Sequence, residues 1–474
     1  MTTRREFLQA VTAGAVVAFD PLARRIRAQS RSAGWDEVPR ILARIKPPVF
    51  PARDFDVTRF GAVGDGAKDN TGAFRAAIAA CRRAGGGRVV APSGIFMTGA
   101  IELEDHVNLH VSENATVRFT RDTQHYPTVL TRWEGMELMN FSPFIYAFQR
   151  ENIAITGAGT IDGNANCDHW WPWKGQTKCG WKQGDANQDA DRNALMAMVE
   201  RGVPVADRKF GAGHYLRPQF IQPYRCTNVL IEGVRLLNAP MWQVHPVLCR
   251  NVTIRNLFVK ADGPNTDGCN PESSTDLLIS NCDFDTGDDC IAIKSGRNAD
   301  GRRVRAPSEN IVIERCRMKN GHGGITIGSE ISGGVRNVFA RDCQLDSPEL
   351  EFAVRVKNNA TRGGVVENVF ARDLRIGQVS KAVLTIDFHY EEGEKGGFTP
   401  VVRNTVLENI AANQAEYALY LRGFANAPIH DVTLADCTFS SVAKPDVVEH
   451  VEGLSMRNVR VNGVLVAGTR GLGD

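Results

Sequence analysis

Along most of the chain, apolar and polar positions alternate in short runs, and the runs recur. Each copy opens on Asn or Asp, continues with two mostly apolar residues, and then alternates: Asn152-Ile-Ala-Ile, Asn228-Val-Leu-Ile, Asn251-Val-Thr-Ile, Asp276-Leu-Leu-Ile, Asn310-Ile-Val-Ile, Asn337-Val-Phe-Ala, Asn368-Val-Phe-Ala, Asn404-Thr-Val-Leu and Asp431-Val-Thr-Leu. From Asn228 onward the copies start 23, 25, 34, 27, 31, 36 and 27 residues apart. A period of two puts successive side chains on opposite faces of a strand, and no 3.6-residue periodicity accompanies it. Self-similarity with steps of this size marks a solenoid. Short strand-rich units separated by Gly, Asn and Asp turns predict an all-β fold, a parallel β-helix whose coils stack about 4.8 Å apart. The variable step places insertions on loops at one side.

An open solenoid end exposes unpaired strand edges. Residues 70–84 predict a capping helix at the N-terminal end. Asp69 or Asn70 can start it, Phe74, Ile78 and Cys81 share one face, and Gly85-Gly86-Gly87 stops it. Between residues 164 and 217 the repeat lapses, and this insertion holds Trp170, Trp171, Trp173 and Trp181 of the chain's 7 tryptophans. Such aromatics can stack on sugars beside a cleft or pack the insertion's own interior. Cys282, Cys316, Cys343 and Cys437 recur at one phase of the repeat, as small buried residues would. Cys167 and Cys179 lie together in the insertion and can pair in an oxidising compartment.

The N-terminus reads Thr3-Arg4-Arg5-Glu6-Phe7-Leu8 and then an apolar run from Val11 to Phe19. A twin arginine before such a run looks like an export signal of the twin-arginine type, and the run is too short to span a bilayer. The chain therefore divides into a signal over 1–28, a linker over 29–50 and a β-helix domain over 51–474, with the mature protein periplasmic or secreted. Removing the signal changes 56 basic and 54 acidic residues to 51 and 52. A nearly neutral mature chain offers no global field for nucleic acid or anionic membranes. An anionic ligand would have to be held by local cations.

Aligning the second strand of successive coils brings distant residues together. The rows are Trp242-Gln-Val-His245, Asp267-Gly-Cys-Asn, Asp289-Cys-Ile-Ala-Ile-Lys294, Gly323-Gly-Ile-Thr and Phe352-Ala-Val-Arg355-Val-Lys357. Asp267 and Asp288-Asp289 then approach on adjacent rungs, with His322 one coil further and Arg355 and Lys357 in the next. Any one Asp-Gly or Gly-Asp reads as a turn; polar motifs on four consecutive coils of one face do not. Crowded carboxylates repel, so at least one should hold its proton more tightly, which supplies the acid and base that glycosidic hydrolysis needs. Arg355 and Lys357 share a strand face and offer cations to a uronate. Lys294 falls in register with Lys357 and is a further candidate; Trp242 and His245 either border the cleft or belong to the core. No His, Cys or carboxylate spacing suggests a metal, and no cofactor is expected.

Asn265-Thr-Asp267-Gly, Gly287-Asp288-Asp289-Cys, Gly321-His322-Gly and Arg355-Val-Lys357 resemble, in order and spacing, the four signature motifs of glycoside hydrolase family 28, the polygalacturonases. Phe60-Gly-Ala-Val-Gly-Asp65 through Thr71 likewise resembles the opening of pectinase-type β-helices. The resemblance implies a right-handed parallel β-helix and an inverting hydrolase of α-1,4-galacturonosidic bonds in pectin, of the bacterial exo-acting kind. It implies Asp288 as the general acid, Asp267 and Asp289 as the pair holding the attacking water, and His322 as a neighbour that helps Asp288 keep its proton. Arg355 and Lys357 would bind the substrate carboxylate, with Asn265 of the first motif beside them. Val356 departs mildly from the usual Ile. A pectin lyase would lack the Asp triplet with Gly-His-Gly; a rhamnogalacturonan hydrolase would differ at the His and Arg-x-Lys positions; a non-catalytic polysaccharide-binding β-helix would need no acid–base set.

Overall fold

The structure, a computed structural model, describes residues 34–470, so the export-signal reading of 1–28 falls outside it. Strands of successive coils pair in parallel along three faces, giving a right-handed β-helix. One face is formed by strands such as Thr275–Ser280, Ser308–Glu314 and Val335–Arg341. A second holds Phe258–Ala261, Asp283–Thr286 and Arg317–Met318. The third carries Ile291–Ile293, Ile325–Ile327, Phe352–Lys357 and Ala382–Asp387. Inward residues of all three fill one continuous apolar core. Cys282, Cys316, Cys343 and Cys437 are all buried in it.

The repeating Asn and Asp have a backbone reason. All nine take the left-handed conformation, with φ between 54° and 59°, which Asn and Asp tolerate better than other non-glycine residues. Each begins its strand at the same corner, so their amides stack. Asn251 donates to Asn228 at 2.6 Å, Asn337 to Asn310 at 3.0 Å, Asn368 to Asn337 at 3.0 Å and Asn404 to Asn368 at 2.7 Å. Asp276 interrupts this ladder because it has no N–H to donate to Asn251.

The N-terminal segment fills the gap. Lys46 N donates to Asn251 Oδ1 at 2.8 Å, and Arg44 donates to Asp276 Oδ1 at 2.6 Å. Residues 29–50 are thus not a free linker throughout. They contain helix α1, Glu37–Arg44, whose Val38 and Ile41, with Ile45 just beyond, pack on the outward side chains Val312, Phe339 and Phe370. Those three stack in register on consecutive rungs. Uncovered, they would form an apolar stripe on the outer wall.

Helix α2, Thr71–Arg83, closes the N-terminal end with Phe74, Ala77, Ile78 and Cys81 buried. Asp69 receives the amide of Thr71 at 2.9 Å, whereas Asn70 turns inward and ties Val63 to Met97. At the other end the strands Leu454–Val461 and Val464–Arg470 pair antiparallel, which ends the parallel stacking.

Candidate active site

On the third face, Val244, Cys269, Ile291, Ile325 and Val354 are consecutive rung partners. Two residues before each stand Trp242, Asp267, Asp289, Gly323 and Phe352, so the rows expected from sequence are in register. Asp267, Asp288 and Asp289 each present an oxygen, all within 4.8 Å of one another. Asp267 and Asp289 are buried, and Asp288, at the preceding bend, is half-buried. Gly323 stands beside Asp289 where a Cβ would come within 2.8 Å of Asp289 Oδ1, so the rung must be empty there for the carboxylate to face outward.

Each carboxylate has its own cation. Asp289 Oδ2 accepts from Lys357 Nζ at 2.7 Å, and Arg355 lies 3.9 Å from Oδ1. Asp288 Oδ1 is 3.0 Å from His322 Nδ1. Asp267 lies 3.8 Å from Lys294 Nζ and accepts from Asn270 at 2.8 Å. Lys294 bonds more closely to Glu330, at 3.0 Å, so its part is to neutralise buried carboxylates rather than to stand free for a ligand. Asn265 bridges Arg217, at 2.8 Å, to Asp288, at 3.4 Å.

These contacts divide the protons. Burial, followed by the charge of Asp288, holds the Asp267 carboxyl well above the ordinary range against the pull of Lys294. Burial also acts to raise Asp288, but the hydrogen bond and charge of His322, with Lys357 and Lys294, outweigh it and push Asp288 low. The Asp288 bond and charge raise His322 to about 9. In the resting site His322 therefore carries the proton and Asp288 the negative charge. This reverses the expectation that His322 keeps Asp288 protonated: a cation favours the anion beside it.

The ion pair should leave a pH signature in stability. Asp288, held low, contributes above its unfolded value of 3.8, and this fades as pH falls. His322, held high, contributes fully below its unfolded value of 6.5 and loses that as pH rises through about 9. The fall in unfolding midpoint caused by His322→Gln is expected to be largest between about pH 4 and 6.5 and to vanish above about 9. It should be small throughout, because the imidazole is half exposed. A pH-independent gap between the two melting curves would contradict the assignment.

The cleft has a volume of about 270 Å³, the size of a small-ligand site rather than a long trench. Its walls include residues that sequence reading missed: Glu134, Lys174, Gln176, Arg192, Arg297, Glu330, Glu351 and Tyr390. Glu134 sits at the tip of a hairpin made by Thr128–Trp133 and Met136–Phe141. It bonds Arg192, on helix α3 of the insertion (Asp189–Glu200), at 2.7 Å and Arg297 of the solenoid at 2.9 Å. Below the hairpin lies a buried ionic cluster. Arg132 meets Glu272 at 3.2 Å, Arg208 meets Asp300 at 2.7 Å, and Tyr224 hydrogen-bonds Glu137. His245 belongs there, 2.8 Å from Glu272 and fully buried, while Trp242 does border the cleft, under Lys294 at 4.4 Å.

Three of the insertion's four tryptophans resolve toward packing, while Trp181, half-buried, donates to Asp185 O of its own loop at 3.1 Å. Trp170 is buried against Tyr126, Phe141 and Phe144, Trp171 is buried, and Trp173 stacks edge-on to Trp170 at 4.8 Å. Cys167 and Cys179 are joined in a disulfide.

A parallel β-helix with a carboxylate triad and adjoining cations in a cleft on one face defines an acid–base glycoside hydrolase acting on an anionic sugar chain. Residues 207–458 match the model of Glycosyl hydrolases family 28, and the chain belongs to that family. It is similar to a hyperthermoactive exopolygalacturonase from Thermotoga maritima, with a TM-score of 0.89 and 44% identity over 93% of this chain and 99% of that one. Among curated sequences it resembles "Probable polygalacturonase" of Vitis vinifera, 27% identical over 85% of this chain and 78% of the relative. It also resembles the exo-poly-alpha-D-galacturonosidase of Dickeya chrysanthemi, 25% identical over 71% of this chain and 57% of the relative.

Proposed function

We propose that this protein hydrolyses α-1,4-galacturonosidic bonds of pectin from chain ends, with inversion. The observation that carries the reading is three carboxyl groups with oxygens within 4.8 Å of one another, each with a different cationic side chain within 4 Å, beside an Arg355 whose nearest carboxylate is 3.9 Å away. Family membership and the likeness to exopolygalacturonases support the linkage and the end-on attack. A free Ca²⁺ ion gains little at the triad, because Lys294, Lys357 and His322 already occupy its field; this disfavours a cation-dependent lyase.

His322 and Asp288 act as one proton store. In an open cleft the charged pair is favoured by solvation. Once a sugar covers it, lower polarity favours the neutral pair, and the imidazolium proton passes over 3.0 Å to Asp288. Asp288 then donates to the leaving oxygen. Asp267, kept protonated chiefly by burial, orients the attacking water by hydrogen bond, and Asp289, paired with Lys357 at 2.7 Å, takes the proton that the water releases. Two oxygens up to 4.8 Å apart can both bond one water at roughly 2.8 Å. The acid, Asp288, lies within 4.8 Å of both, closer than the roughly 6.5–9.5 Å usual between the acid and base of inverting enzymes, so inversion rests here on the family resemblance and the anomer test decides it. Arg355 takes the substrate carboxylate, and Lys357, held by Asp289 at 2.7 Å, adds its charge beside it.

A time course of product sizes from polygalacturonate tests the reading: monogalacturonate should appear first, with a β-anomer at the instant of release. Mixed oligomers at early times would contradict end-on attack, and an α-anomer would contradict inversion. Arg4-Arg5 before the apolar run supports export to the periplasm or beyond. Changing both to Lys is expected to hold the protein in the cytoplasm, as fractionation would reveal.

A further inference from the structure

We infer that Lys174, presented by the Trp-rich insertion, is a specificity-determining residue that binds the carboxylate of the galacturonate on the insertion side of the scissile bond. The inference deepens the proposed function and rests on it. The other cations lining the cleft, Arg355 apart, are already engaged. Arg192 and Arg297 hold Glu134, Lys294 holds Glu330 and Lys357 holds Asp289. Lys174 also lines the cleft, yet among the described residues no carboxylate lies within 4 Å of its Nζ. Its field comes from Glu134 and Asp288 at longer range, against Arg217 and Arg192, and burial lowers its pKa. A partly buried ammonium with no close counter-ion is costly unless a ligand supplies one.

The insertion is built to hold that ammonium still. Lys174 ends a short 3-10 turn, Trp171–Lys174, closed by Gly175 in the left-handed conformation. Trp171 Nε1 donates to Ala239 O at 2.9 Å, and its indole lies on Gly263, where any Cβ would strike the ring. Gln188 N donates to Trp173 O at 2.7 Å, and Trp173 packs against Tyr215. The Cys167–Cys179 disulfide closes the loop around the turn. Trp171 and Trp173 thus anchor the turn that carries Lys174.

Position gives the ligand. Trp171 touches Ala239, on the coil before that of Asp267, and Gly263, four residues before Asp267 on the same coil, whereas Arg355 lies on the coil following His322. The turn that carries Lys174 is therefore anchored on the Asp267 side of the triad, and Arg355 stands on the other. A galacturonan carries one carboxylate per sugar, so a bond placed at the triad sets one carboxylate toward each cation. Lys174 supplies the partner that Arg355 and Lys357, on the far side, do not.

Three ligands test this: digalacturonate and the two isomers in which one or the other carboxyl is reduced to the alcohol. Affinities are measured by calorimetry on the Asp288→Asn protein, so no hydrolysis is needed. Removing one carboxyl should weaken binding about 10-fold or more for each isomer. With Lys174→Met added, digalacturonate should weaken by the same factor, one isomer should bind no worse than before, and the other should still weaken. Lys174→Arg should restore most of the affinity. Unchanged affinities in Lys174→Met, or an equal loss for all three ligands, would overturn the inference, as would absence of digalacturonate binding to the Asp288→Asn protein. Failure of the proposed function would show separately, as no product from polygalacturonate with the unaltered enzyme.

Discussion

Asp288→Asn is expected to lower kcat on polygalacturonate by at least about 10³-fold while leaving the fold intact. General acid assistance contributes roughly 10²–10⁴-fold, and here the change removes the proton store as well. An amide oxygen can still accept from His322 Nδ1, so the local hydrogen bond survives, but the negative charge that raises His322 to about 9 is gone. The imidazole should then titrate near its ordinary 6.5. Proton NMR of the His322 ring checks this independently of turnover. Near-normal kcat would remove Asp288 from the acid role, and a His322 value still close to 9 would show that another carboxylate holds its proton.

Glu134→Ala is expected to have the largest structural effect at the cleft. The carboxylate is buried and joins three elements distant in sequence: the hairpin tip, helix α3 through Arg192 and the solenoid through Arg297. Removing one partner of a buried pair costs on the order of 3–5 kcal/mol, because the remaining charges stay buried. Arg297 keeps Glu330 at 3.5 Å and Glu391 at 3.7 Å, so the lower end of that range is expected. Arg192 loses its only close carboxylate among the described residues. The wall between insertion and solenoid should loosen, and products longer than monogalacturonate should appear early in a digest, alongside a lower unfolding midpoint. Unchanged product sizes in a folded Glu134→Ala protein would show that the wall does not set end-on attack.

The rows of the third face were legible because a parallel solenoid maps sequence onto space by one rule. Asp267, Asp289, Gly323 and Phe352 each stand two residues before a rung partner, so finding the strands located the site. The cap was legible for the same reason, since the apolar face of residues 71–83 has a helical period. Helix α1 was read as linker because its apolar residues meet no repeat; its value lies in covering Phe339 and Phe370, whose outward position appears only once the rungs are stacked.

The sequence by itself determined the coil, its capped end, the face that carries the carboxylates and the order of the polar motifs along it. All of these follow from local periodicity and from the αL preference of Asn and Asp, which act over a few residues. Tertiary structure alone decided what surrounds the carboxylates. Glu134 meets Arg297 across 163 residues of chain, and Trp171 packs on the solenoid wall because Gly263 leaves room for its indole. It also decided where the protons rest. Which carboxyl is charged depends on burial and on distances of a few ångströms to His322, Lys294 and Lys357, and Coulomb energy at that range is set by geometry that no single stretch of sequence contains.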